Sequence, residues 1–139
     1  MKKFSAMIVD DSETDRYLLK RFLEKTELIG DIFEQNNGEA ALDFLSDYAC
    51  NKEKSEESFP PTLLFLDINM PKMNGFEFLE SYQNLIDKYD DMSIVVMMFT
   101  SSVREEDMNK AFKFNCVKDY LEKGNFKVEE LKKKIIQYT

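Results

Sequence analysis

The sequence predicts an α/β fold, a five-stranded parallel sheet with helices on both faces. Three observations predict it. Short apolar runs alternate with stretches of helical periodicity five times along the chain. Two of the runs, Leu63 to Leu66 and Ile94 to Phe99, contain no polar residue, as expected of strands covered on both sides. The polar residues Asp10, Asp11, Asp67, Thr100 and Lys123 each follow an apolar run, at the carboxyl ends where such sheets bind ligands.

The elements follow in order. Ala6 to Val9 reads as a buried strand. Ser12 and Asp15 have capping-box spacing and start a helix, whose apolar face includes Leu18, Leu19, Phe22, Leu23 and Ile29. Gly30 and Asp31 punctuate the chain before a short strand from Ile32 to Gln35. Asn36, Asn37 and Gly38 form a turn into a helix carrying Ala41, Leu42 and Leu45. Residues 46–61 are polar and end in Pro60 and Pro61. They read as a surface insertion within one domain of residues 1–139, because neither side alone has strands enough to close a core. After the strand Leu63 to Leu66, Pro71 and Gly75 shape a turn. Phe76, Leu79, Tyr82, Leu85, Ile86 and Tyr89 then recur at helical spacing. Ile94 to Phe99 is the next strand, and Val103, Ala111 and Phe112 mark a helix. Val117 to Leu121 is the fifth strand, and Val128, Leu131, Ile135 and Tyr138 mark the last helix.

Composition narrows the function classes. The net charge of −8 disfavours direct binding to nucleic acid, which relies on Lys and Arg. No apolar run approaches the ~20 residues that span a bilayer, and the basic start Met1-Lys2-Lys3 leads into paired acids rather than a leader cleavage site. Cys50 and Cys116 have no metal-ligand spacing and read as reduced thiols of a cytoplasmic protein. The absence of histidine excludes Ser-His, Cys-His and His-zinc chemistry.

What remains is oxygen chemistry. Asp10, Asp11 and Asp67 converge if the first and third strands are neighbours, and their mutual repulsion calls for a hard cation such as Mg2+. The backbone carbonyl of Asn69 is placed by the turn to join them. The four glycines are too scattered for a nucleotide-cradling loop. A phosphoryl group received on a carboxylate fits better, because an ionised aspartate needs no general base. Lys123 supplies an ammonium for its oxygens and Thr100 a hydroxyl.

Val9-Asp10-Asp11-Ser12, Asp67 with Pro71 and Gly75, Thr100-Ser101-Ser102 and Tyr120-Leu121-Glu122-Lys123 together resemble the receiver domain of two-component response regulators. The insertion before Pro60 and Val117-Lys118-Asp119-Tyr120 resemble the stand-alone receivers related to phytochrome-associated regulators. The resemblance implies a flavodoxin-like fold with strand order 2-1-3-4-5. It implies Asp67 as phosphoacceptor, Mg2+ at Asp10, Asp11, Asp67 and the Asn69 carbonyl, and a switch made of Thr100 and Tyr120. A sensor histidine kinase or histidine phosphotransfer protein would be the donor and a downstream protein the reader. The chain would then be no enzyme in the usual sense, but a phosphoacceptor that catalyses its own phosphorylation and slow dephosphorylation. With no effector domain expected after the last helix, output passes through protein contacts.

One residue departs from the family. Gly124 stands where most receivers have proline, so either the Lys123 loop bears a costly cis bond or it takes another path. Two rivals follow. One is a receiver-like binding module that works without phosphorylation. The other is an aspartyl-phosphate phosphatase, disfavoured because Asn69 cannot protonate a leaving group.

Overall fold

The computed structural model describes residues 3–89 and 92–139; the tip at Met1 and Lys2 lies outside them. Five strands, β1 (Phe4–Val9), β2 (Ile29–Gln35), β3 (Leu63–Leu66), β4 (Val95–Thr100) and β5 (Val117–Glu122), form one parallel sheet in the order β2-β1-β3-β4-β5. Among the described residues, six helices join and cover them: α1 (Glu13–Lys25), α2 (Gly38–Ser46), α3 (Tyr48–Lys54), α4 (Gly75–Ile86), α5 (Glu105–Phe112) and α6 (Val128–Tyr138).

The apolar strands are explained by two cores, one on each face. Successive side chains point to opposite sides of a strand. Met7, Val9, Leu64, Leu66, Val96 and Met98 face Ala41, Leu45, Phe78 and Tyr82 of α2 and α4. Ala6, Ile8, Leu63, Phe65, Met97 and Phe99 face Leu19 and Leu23 of α1 and Leu131 and Ile135 of α6. A polar residue on either side of β3 would therefore lie in a core, and all four of its residues are fully buried.

Several boundaries differ from the sequence reading. Ile29 belongs to β2 rather than to the first helix, and Gly30 and Asp31 lie inside that strand instead of ending it. The strand is at the sheet edge, and Phe4 pairs with Ile29 while Ala6 pairs with Ile32, so β2 holds one extra residue. An exposed Gly-Asp pair suits such a bulge. The insertion is partly ordered as α3. Tyr48 stacks on Tyr89 with centroids 4.4 Å apart and meets Phe59 edge-on, and Phe59 is buried in the core. Tyr89 thus lies beyond α4, and its apolar role is to hold the insertion down. Val103 precedes α5 and is exposed. Within α1, Leu19 faces the core at 1% exposure whereas Leu18 is 49% exposed.

Candidate functional site: an acidic pocket around Lys123

Strand register sets the site. Val9 pairs with Leu66, and Leu66 with Met98, so β1 and β3 finish level and β4 runs two residues further, to Thr100. The backbone continues the ladder one step further: the Asp67 N–H donates to the Val9 carbonyl at 3.0 Å, and the Lys123 N–H to the Thr100 carbonyl at 2.9 Å. Asp10, Asp67, Thr100 and Lys123 therefore meet at one rim.

Each loop is fixed locally. Ser12 caps α1, its hydroxyl accepting from the Asp15 N–H at 3.2 Å, while Asp10 Oδ1 accepts from the Ser12 N–H at 2.9 Å. Only half of the predicted capping box forms, because the Asp15 carboxylate turns to Lys123 instead. After Asp67 the chain bends through Lys72 at φ +68°, with the Met73 N–H donating to the Pro71 carbonyl at 2.8 Å. Asn74 and Glu77 then complete a capping box on α4. Gly75 is required by close approach: a Cβ there would lie 2.4 Å from the Asp67 carbonyl oxygen. Gly75 thus lets α4 press against the backbone that carries Asp67.

The Lys123 loop follows the second of its two paths. Gly124 takes φ +76°, a left-handed conformation that glycine adopts without strain, and the cis peptide among the described residues is Phe59–Pro60. Lys123 consequently reaches the site. Its ammonium lies 2.7 Å from Asp10, 3.0 Å from Asp15 and 3.3 Å from Asp67. The contacts with Asp15 and Asp67 are aligned hydrogen bonds. The shortest contact, to Asp10, is a close ion pair off the ideal hydrogen-bond direction, and among the described residues buried Asp10 Oδ2 has no other partner.

Electrostatics follow from burial. Asp10 is fully buried, and desolvation pushes its carboxyl up to about 6 despite Lys123 and the Ser12 N–H. Burial also raises Asp67, against the opposing pull of Lys123, the Ile68 N–H and the Thr100 hydroxyl. For Lys123, burial works to lower the ammonium, but its close contacts with Asp10 and Asp15 and the charge of Asp67 outweigh it and hold its pKa above the lysine range.

Asp10, Asp11 and Asp67 each place a carboxylate oxygen within 4.8 Å of the others. Asp11 is exposed, so the group opens to solvent. Among the described residues nothing donates to the Asn69 carbonyl, two residues past Asp67. An all-oxygen donor set of three carboxylates, two of them buried, fits a hard divalent cation.

Thr100 is fully buried and Tyr120 half-buried. Ser102 connects them: its N–H donates to Thr100 Oγ1 at 3.3 Å, and its carbonyl accepts from the Tyr120 hydroxyl at 2.9 Å. The Tyr120 ring lies 6.3 Å from that of Phe112 on the α5 side. The fold thus brings Asp10, Asp11, Asp67 and Lys123 together and links Thr100 to Tyr120 through Ser102. The reading missed Asp15, taken only as a cap, and Ser102 as the link. Asp15 was detectable: it lies four residues before the buried Leu19, which puts it on the inward face of α1.

Comparisons with known proteins agree with this fold. Response regulator Rcp1 of Synechocystis is 31% identical over 113 residues, covering 79% of this chain and 71% of its own length. The Mn2+-bound structure of Rcp1 aligns over 95% of this chain and 88% of its own with TM-score 0.68 and 27% identity. The bacteriophytochrome response regulator RtBRR aligns over 99% of this chain and 78% of its own, with TM-score 0.72 and 28% identity. A two-component response regulator from Cytophaga hutchinsonii shares the fold at TM-score 0.80 and 22% identity, over 98% and 99% of the two chains. Other relatives are longer, and the chain spans 34% of the transcriptional regulatory protein DegU of Brevibacillus brevis, at 28% identity over 95 residues, or 68% of this chain. The response regulator receiver domain family matches residues 6–136, and this chain belongs to it.

Proposed function

We propose that Asp67 accepts a phosphoryl group from the phosphohistidine of a sensor kinase or phosphotransfer protein. The chain then signals by changing its protein-binding surface. The observation that carries this reading is the buried carboxylate of Asp67 held between Lys123 and the Asp10–Asp11 pair. An Asp67 oxygen donates its lone pair to phosphorus as the P–N bond breaks. That bonding pair stays on the imidazole, whose other nitrogen carries a proton, so a neutral ring leaves. Lys123 stands beside the accepting oxygen to neutralise charge on the transferring group, and the Thr100 hydroxyl is a further donor. Asp10, Asp11, Asp67 and the Asn69 carbonyl would hold Mg2+, which supplies positive charge to those same oxygens when bound. The test is mass spectrometry after incubation with an acyl phosphate and Mg2+. A stable gain of one phosphoryl group is expected. Continuous hydrolysis without an adduct would instead indicate a phosphatase, and no reaction a phosphorylation-independent module.

Donor docking is best supported beside α1. Tyr17 and Leu18 are 54% and 49% exposed, and a cavity of about 150 Å³ between α1 and the Lys123 loop is lined by Leu18, Phe22, Phe99 and Phe126. A helix bearing the donor histidine could bury this strip. Leu18→Asp should slow transfer from the kinase at least tenfold while leaving acyl-phosphate labelling within twofold, a split of about 1.4 kcal/mol in the encounter alone. Equal slowing of both reactions would refute the docking role. Leu19 is buried and unsuitable for this test.

The switch reading rests on the Thr100–Ser102–Tyr120 chain of hydrogen bonds. A phosphoryl group on Asp67 gives the Thr100 hydroxyl a charged acceptor, and its movement would pull the Ser102 backbone that Tyr120 holds. One such bond contributes about 1.5–3 kcal/mol, less than the ~5.5 kcal/mol that moves a population from 1:99 to 99:1. Lys123 must therefore contribute to the bias. Thr100→Ala should remain phosphorylatable yet lose most of the amide shifts around Phe112 and Tyr120 on phosphorylation. Shifts as large as in the native chain would remove Thr100 from the switch.

A further inference from the structure

We propose that Asp15 competes with the phosphoryl group for the Lys123 ammonium and so weakens this chain's hold on its phosphorylated state. The inference rests on Asp67 being the phosphoacceptor.

The ammonium has three N–H donors and meets three carboxylates, Asp10, Asp15 and Asp67. Two of these belong to the group that fits a cation; Asp15 does not. Its bond to Lys123 is 3.0 Å and aligned, whereas the Asp10 contact is not. Asp15 is also held in place. It sits in the first turn of α1, its N–H tied to Ser12, one turn before the buried Leu19. The pair is sheltered: the Lys123 side chain is 14% exposed, that of Asp15 33%, and the Phe99 ring lies 5.3 Å from the ammonium. An ion pair so placed is less screened than a surface one.

Three carboxylates, Asp10, Asp15 and Asp67, thus share one ammonium. A phosphoryl group on Asp67 carries up to two negative charges in place of the carboxylate's one, beside the same lysine. A phosphoryl oxygen can take the donor that Asp67 now holds, but the donor on Asp15 remains committed. A residue at position 15 without charge releases it. Asp15 acts through Lys123 and is a positioning residue, since it does not reach the accepting oxygen.

The test titrates beryllofluoride, a phosphoryl mimic, into the full chain at saturating Mg2+, using native protein, Asp15→Asn, Asp15→Ser and Asp15→Glu. Serine suits a first helical turn, so the two neutral variants guard against misfolding of either. Both should bind beryllofluoride about 3–10-fold more tightly, up to a tenfold change worth 1.4 kcal/mol. Asp15→Glu should stay within about twofold of native. Affinity for Mg2+ alone should fall slightly in the neutral variants, because a nearby negative charge is lost; a purely structural defect would weaken both ligands. The Lys123 ammonium nitrogen resonance of the metal-free protein should also move in Asp15→Asn. Unchanged or weaker beryllofluoride binding in the neutral variants, or an unmoved Lys123 resonance, overturns the proposal while native binding upholds the phosphoacceptor reading. Failure of the native chain to bind beryllofluoride overturns both.

Discussion

Asp67→Asn should abolish phosphorylation by acyl phosphates and by any phosphohistidine donor. The substitution keeps the shape of the side chain and removes the anionic oxygen that must form the P–O bond. An amide oxygen beside Lys123 has neither the charge nor the leaving equilibrium to carry a stable phosphoryl group. The fold should survive. Asp67 is 4% exposed, and burial raises its carboxyl, so the ionised form is held against its solvation preference. Ile68 N–H, which donates to Asp67 Oδ1 at 2.8 Å, can donate to the amide oxygen of asparagine instead. Loss of labelling with an unfolding transition that is not lowered is the expected pair of results in intact-mass and thermal measurements without divalent cations. Labelling of the variant at the native level would mean that another carboxylate, with Asp10 and Asp11 the nearest, accepts the group.

Most of this site was legible in the sequence because parallel strands make it so. A strand buried on both faces must be apolar throughout, and its first polar residue marks the carboxyl end. Asp10, Asp67 and Thr100 each satisfy that rule, and parallel alignment of the strands brings them together. The sheet edge was harder. β2 is paired on one side only, tolerates Gly30 and Asp31, and so hid its first half. The α3 helix was hidden for another reason: it buries no residue fully and gains its order from Tyr48 and Phe59 packing on distant parts of the chain. Lys123 was legible by position, but its reach depended on the turn at Gly124, where a residue type had to be read as a backbone angle. Asp15 was missed because two roles compete for one carboxylate. Local spacing favours a cap, and only the tertiary fold presents an ammonium from 108 residues away.

Asp10→Asn should stabilise the metal-free protein at neutral pH, and the gain should vanish in acid. The Asp10 carboxyl has an ordinary value of 3.8 and is pushed up to about 6 in the fold, chiefly by desolvation. The folded state therefore binds more protons than the unfolded one between about pH 4 and 6, and stability falls as pH rises through that window. A raised acid contributes no penalty below its unfolded pKa and its full penalty above its folded one. A shift of this size corresponds to at most about 3 kcal/mol, and about 1–3 kcal/mol is expected once relaxation around the ion pair is allowed for. Lys123 does not reverse the sign. Its pKa is raised, so its own contribution to stability is constant across this range and is lost only in strong base. In the variant it keeps Asp15 and Asp67 as partners. Without divalent cations, thermal unfolding should thus give nearly equal stabilities at pH 4 and a midpoint several degrees higher for Asp10→Asn at pH 7. Added Mg2+ should reverse the order at pH 7, since the native chain gains stability in proportion to its affinity and the variant has lost a carboxylate ligand. A native protein that is the more stable of the two at pH 7 without metal would show that the Lys123 ion pair outweighs the burial of Asp10.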